Sequence, residues 1–348
     1  GIFFDLSNEV SNYQYYVFNI LGPVNTSLAI VYFRGINLTL QNFQSILFLL
    51  ICPILSVLLF AFIKTPNYDD INFRLSANFV TSGGFGSNQV STVLGLGMFL
   101  VFIFWFYKWN LSGNKSLDLI LFFGFVFQGL MTFSRGGILT GFLSIVSLIF
   151  INLFFGNSKN LISSSINKLK NVFLIFLFLL LAFFIVNNLS DGMLFLRYQG
   201  ETDGTIGGYK EQSLNNLTSN RFDIFIGDLK LWLDHPLFGV GVGASKFMRE
   251  EVTDTVAHVE LSRLLAEHGI FGLVYFLILL MAPYKSIIRE KSTFVKALRF
   301  SLFLLALITT FHASMRTYVT PLLIGLSLIS LKDTPFNSIP RSLRLRNT

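Results

Sequence analysis

The residues best suited to chemistry sit in one polar stretch, Ser219 to Gly269, between long apolar runs. Arg221, a glycine-rich turn after Pro236, and His258 beside Glu260 and Arg263 all fall within it. Arginine supplies a permanent, bidentate cation. Glycines let a ligand approach the backbone closely, and a neutral imidazole can act as a base near pH 7. The set suits chemistry on an anionic, lipid-linked substrate better than passage of a solute.

Further cations lie outside this stretch. Arg135 stands in TFSRGG, where Gly136 and Gly137 remove side-chain bulk beside the guanidinium. Arg74 precedes the polar turn SGGFGSNQVS, in which Asn88 and Gln89 are placed to bond across helices. Arg316, with His312, is a fourth candidate. Four arginines on one face, Arg74, Arg135, Arg221 and Arg316, would bind a diphosphate through bidentate contacts if they converge. Each residue also has a plainer reading: an arginine snorkelling to lipid phosphate, or a histidine held by structural hydrogen bonds. His235 and His268 fit that plainer reading, as a helix-end residue and a partner of a helix C-terminal dipole.

Metal signatures fail. His258 and Glu260 make HxE without a following PCxxC, HExxH is absent, and Glu267 and His268 are adjacent rather than on one helical face. No metal and no cofactor is expected. PLFGVGVG places Gly239, Gly241 and Gly243 at alternate positions but lacks nucleotide-fingerprint spacing, so a structural turn is expected there.

Two helices should present these groups. Ser219 and Asn220 are good caps for a helix in which Phe222, Phe225, Ile226, Leu229, Trp232 and Leu233 recur at helical spacing. Asp223, Asp228, Lys230 and Asp234 would take its polar face, and Pro236 should end it near His235. A second helix should run from about Asp254 or Thr255 to Gly269, with His258 in its first turn. The positive helix end would then keep His258 neutral. Arg197 to Leu217 reads as a mobile connection.

The rest of the chain is membrane-like. Of 348 residues, 53% are hydrophobic and 13% charged, with 41 Phe; soluble domains carry about 25% charged residues. Apolar runs predict spans near 15–33, 43–63, 89–107, 117–134, 137–155, 171–187, 269–287, 297–311 and 317–331. Cys52 is the single cysteine and lies in such a run, so no disulfide framework exists. The net charge of +7 is an orientation signal rather than a nucleic-acid footprint. Lys108, Lys115, Lys159, Lys168, Lys170, Lys285, Arg289, Lys291, Lys296, Lys332, Arg341, Arg344 and Arg346 all fall on one side under alternation. Basic loops stay cytoplasmic, which puts the Ser219–Gly269 stretch outside. The fold class expected is all-α: a polytopic membrane helical bundle with a large periplasmic loop domain containing amphipathic helices. Its parts are N-terminal spans over 1–187, the loop domain over 188–268, C-terminal spans over 269–331 and a basic cytoplasmic tail over 332–348. Alternation puts the N-terminus outside, the pattern of a chain lacking earlier spans.

GGFGSNQVS, TFSRGG, the Arg221-to-Gly243 stretch with DHPLFGVGVG, and AHVELSRLLAEHGIFGL together resemble the O-antigen ligase and polymerase superfamily of bacterial envelope glycosyltransferases. The resemblance covers roughly residues 70–330. It implies transfer of a glycan from undecaprenyl diphosphate to an acceptor hydroxyl at the periplasmic face of the inner membrane. The acceptor would be lipid A-core or a growing glycan. The resemblance matches the family's essential histidine to His258 and its essential arginines to Arg135 and Arg221. Arg74, Glu260, Arg263 and Arg316 are then candidate substrate-binding residues. Val259 departs from the small polar residue that many ligases carry after the histidine, so ligase and polymerase both stay open. A polysaccharide flippase or transporter, and a non-catalytic scaffold whose arginines bind membrane lipids, are the readings from other classes. Nucleic acid is not an expected partner.

Overall fold

The computed structural model describes residues 5–7, 9–10, 13–155, 161–209, 211–219, 221–250, 255–315 and 317–332. Its helices are α1 (Tyr13–Phe33), α2 (Leu40–Lys64), α3 (Ser87–Phe106), α4 (Lys115–Met131), α5 (Arg135–Phe154), α6 (Leu161–Leu189), α7 (Met193–Gln199), α8 (Asp203–Ile206), α9 (Leu214–Leu217), α10 (Arg221–Asp234), α11 (Ser245–Met248), α12 (Glu260–His268), α13 (Ile270–Ile288), α14 (Thr293–Thr309) and α15 (Val319–Leu328). Two three-residue strands, β1 (Asn37–Thr39) and β2 (Ser330–Lys332), pair in parallel, with Leu38 opposite Leu331.

A helix falls on each of the nine apolar runs predicted from hydropathy. Among the described residues six helices are long and apolar enough to cross a membrane: α1, α2, α3, α5, α6 and α13. The chain is an all-α, multi-pass membrane protein. The ten residues of α15 rise only about 15 Å, roughly half of a hydrocarbon core, and lie packed on α14 and α1.

Burial separates the centre from the rim. α3 is buried along nearly its whole length and packs on α2, α4 and α5. A helix apolar on every face belongs inside a bundle. By contrast α2 and α6 present Leu49, Ile63, Phe173 and Phe184 on the outside, as lipid-facing helices do.

In lipid, apolar side chains gain little by meeting one another, so helices associate where small residues let backbones touch. Ser91 and Gly95 of α3 face Gly137 and Gly141 of α5. A Cβ on Gly137 would stand 2.1 Å from the Ser91 carbonyl oxygen, and one on Gly95 2.1 Å from the Gly137 oxygen. This contact draws together the N-terminal ends of α3 and α5, which carry Asn88 and Arg135.

Gly137→Ala should therefore force two backbones apart and destabilise the protein by about 1–3 kcal/mol. Gly124→Ala, whose Cβ would meet Leu58 at an ordinary 3.5 Å, should be neutral or slightly stabilising. Thermal unfolding of both variants in detergent checks the contrast.

Candidate active site

The cavity between the N-terminal ends of α3 and α5, the C-terminal end of α14 and the α7–α12 region measures about 740 Å³. Arg135, Arg197, Arg221, His258 and His312 all line it, along with Asn88, Phe222 and Phe225. Among the described residues the lining contains no Asp or Glu.

Local structure explains how the cations arrive. Phe133 takes a left-handed φ of 54°, turning the chain so that α5 begins with Arg135. Its Nη1 donates to the Arg197 carbonyl at 2.8 Å, and its Nη2 to the Leu217 carbonyl at 2.7 Å and Ser219 Oγ at 2.9 Å. Arg197 closes α7, is buried, and donates to the Leu75 carbonyl at 2.7 Å and Ser219 Oγ at 3.1 Å. Arg221 opens α10, and its Nε is buried with no hydrogen-bond partner among the described residues. Burial first, then the charges of Arg135 and Arg221, pushes the Arg197 guanidinium down to about 10. Arg221 falls to about 10 for the same reasons, burial and then Arg135. Both values remain far above neutral pH, so Arg197 and Arg221 stay cationic. Burying a charge without an opposite charge costs several kcal/mol. Bonds from a charged donor to a carbonyl return about 1.5–3 kcal/mol each, which holds Arg135 and Arg197 in place while leaving the positive field uncancelled.

The histidines lie across from them. His258 is half-buried, and its carbonyl accepts from the Ser314 amide at 3.1 Å. His312 is buried, with Nε2 2.9 Å from Thr92 Oγ1 and Nδ1 3.4 Å from Thr140 Oγ1. Burial, then the positive charge of Arg221, pushes the His312 imidazole down to about 4. Gly136 is needed beside it, because a Cβ there would stand 2.5 Å from the ring.

The sequence-derived expectations divide. The structure brings together Arg135, Arg221 and His258 but leaves Arg74 exposed and outside the cavity lining. Arg316 lies outside the described residues. Glu260 and Arg263 also stay out of the lining, in a buried ionic cluster. Arg263 pairs with Glu260 and, at 3.1 Å, with Glu267, and donates to the Asn19 carbonyl of α1 at 3.1 Å. Burial opposes its charge, but Glu260 and Glu267 outweigh it and hold the guanidinium above its ordinary value.

Three local expectations need correction. His258 is not in the first turn of a helix, because α12 begins at Glu260. The segment before it bonds instead to the turn after α14: the Glu260 amide donates to the Thr310 carbonyl at 2.8 Å, and Ser314 binds His258. Asp228 is not on a solvated face. It is fully buried, pairs with Arg249 at 2.7 Å and accepts from Ser262 at 2.8 Å. The stretch expected as a mobile connection folds into α7, α8 and α9, the latter two capped by Thr202 and Ser213. Arg197, at its edge, was missed for that reason; a lone arginine closing the apolar run MLFL was the available signal. Gly239, Gly241 and Gly243 all take positive φ and pack on α12, with Val240 donating to the Ala266 carbonyl at 2.8 Å. Asn88 bonds across helices as expected, accepting from Ser134 Oγ at 2.7 Å. Among the described residues no group of three or more His, Cys, Asp or Glu gathers as metal ligands would.

Residues 119–277 match the O-antigen ligase family. The matched segment carries Arg135, Arg197, Arg221 and His258, whereas Asn88 and His312 complete the cavity from outside it. The match supports the O-antigen ligase and polymerase superfamily of membrane glycosyltransferases, the resemblance already visible in the motifs. No curated protein matches the chain.

Removing Arg263 leaves two buried carboxylates unpaired, so Arg263→Met should cost about 3–5 kcal/mol of stability. Glu260→Gln should cost less, since Glu267 still compensates Arg263. Chemical denaturation in detergent gives the order; two fully stable variants with weakened substrate binding would instead place both residues at the ligand.

His312 generates a pH prediction. Its folded value of about 4 lies below the ordinary 6.5, so between these values the unfolded chain binds more protons. Stability from this group is present above pH 6.5 and lost as pH falls toward 4. His312→Asn should lose less stability than wild type over that window, as measured by melting temperature against pH.

Proposed function

We propose that the chain transfers a glycan from undecaprenyl diphosphate to an acceptor hydroxyl, as an O-antigen ligase does, at the periplasmic face of the inner membrane. The observation that carries the reading is the cavity in which three arginines face a half-buried histidine, with no acid among the described lining residues. A diphosphate brings negative charge to these cations, and arginine forks fit its oxygens.

In the proposed reaction His258 takes the proton of the acceptor hydroxyl. The acceptor oxygen bonds to the anomeric carbon as the bond from that carbon to the diphosphate oxygen breaks. The departing diphosphate keeps the electron pair, and Arg135 and Arg221 neutralise it. A single displacement of this kind inverts the anomeric centre. The arginines take the part that a cation would otherwise play. Arg197 joins them from α7 as a third cation. Phe222 and Phe225 of α10 give the cavity an apolar wall suited to the lipid or sugar faces. The loop domain, 188–268, holds this site against the outer face, and the excess of basic residues at the other end supports that orientation.

His258→Ala in the full-length protein should lower glycan transfer by about 10²–10⁴-fold, the usual worth of a general base, with insertion and expression unchanged. The test is complementation of a strain lacking the gene, with surface glycan resolved on a gel. Lipid-linked long chains left unattached support the ligase reading. Single unpolymerised repeats on the anchor identify a polymerase, and unchanged glycan removes His258 as the base.

A further inference from the structure

A second polar cavity lies at the opposite end of the bundle. α14 runs from its rim at Ser292 to the arginine cavity at Ile308, so the two sites are separated by the length of that helix. This cavity measures about 740 Å³ and is lined by Arg34, Lys285, Arg289, Lys291, Arg299 and Glu290, with Leu328 of α15.

Its charges do not cancel. Among the described residues five cations share one carboxylate, and that carboxylate is committed: Glu290 pairs with Arg299 at 3.3 Å. Among the described residues no ion pair joins Arg34, Lys285, Arg289 or Lys291 to an acid. Arg299 is 2% exposed although it belongs to a bundle helix, and its Nε donates to the Ser327 carbonyl at 2.7 Å while Nη2 binds Ser286. That bonding anchors the C-terminal end of α15, whose free carbonyls favour a cation. It also builds a fixed wall between α13 and α15, next to which four other cations stand exposed.

Insertion topology accounts for the sign of these charges, since basic residues collect beside spans on one side. It does not require a cavity walled by a buried, fully bonded arginine. We infer that this cavity binds the phosphate headgroup of an anionic phospholipid. The membrane is the source because the cavity opens beside the apolar flank of α13, where Met281, Tyr284 and Ile288 are exposed. A headgroup seated among Lys285, Arg289 and Lys291 would lay its acyl chains along those side chains, as basic pockets between membrane helices bind lipid.

The experiment uses the full chain in detergent, spiked with phosphatidylglycerol or phosphatidylcholine, with retained lipids counted by native mass spectrometry. Phosphatidylglycerol should be retained in preference. Each basic residue near an anionic headgroup is worth about fivefold in affinity, so the triple variant Lys285→Ala/Arg289→Ala/Lys291→Ala should weaken retention more than tenfold. Lys108→Ala/Lys115→Ala removes two exposed cations from the same end of the bundle but outside the cavity, and should retain the lipid as wild type does. Equal retention of both lipids overturns the proposal. So does an equal loss in the control variant, which would indicate a general basic surface. Displacement of phosphatidylglycerol by millimolar inorganic phosphate would make the site one for soluble anions and would also overturn it.

Discussion

The buried Arg263 guanidinium, held between Glu260 and Glu267, is the interaction on which the outer half of the molecule depends. It reaches Asn19 in α1, and Glu260 reaches the Met315 amide at 3.1 Å. One cluster therefore fixes α12 against the first helix and against the turn after α14. His258 stands two residues before α12, and His312 stands in that turn. The positions of both histidines follow from ionic bonds in which neither takes part. A buried ion cluster is poor evidence of net stability, because desolvation offsets much of the Coulomb gain. Its worth lies in geometry: the charges are satisfied in one arrangement of three elements and in no sheared version of it.

The two clusters of charge obey opposite rules. Around α12 each cation has its acid: Arg249 with Asp228, Arg263 with two glutamates. Burial pushes the Asp228 and Glu267 carboxyls up while those arginines pull them down, the balance of a closed structural network. In the neighbouring cavity the arginines meet carbonyls and a serine, and no acid lines it among the described residues. Buried charges are thus paired in one place, while among the described residues the three arginines of the next have no ion pair, the arrangement on which the proposed diphosphate site rests.

Much of this was legible in the amino acids. Apolar runs located the nine bundle helices, and the glycines of TFSRGG marked where α5 comes close to another element. Arg135, Arg221 and His258 were identifiable from type and context. What failed depends on tertiary partners. Asp228 has the helical phase of a surface residue, and only the approach of Arg249 over Gly227 makes it internal. Glu260 and Arg263 look like ligand-binding groups until their mutual pairing is seen. His258 leaves the helical pattern because its segment bonds to residues about 50 positions further on. Arg197 was hidden in a stretch whose polar composition resembles a linker but whose serines and threonines cap short helices.

The β1–β2 pair carries a consequence for assembly. It joins Asn37 to Ser330, and α1 packs on α15. The last described helix, α15, thus completes contacts with α1. During synthesis the early helices enter the membrane long before that partner exists. The bundle can close only after α15 has been made. Contacts so distant in sequence make closure slow, and Arg263, reaching back to α1, must wait as well. The arginine cavity, framed by α3, α5 and the turn after α14, therefore takes its final shape only once α14 and α15 have joined the earlier helices.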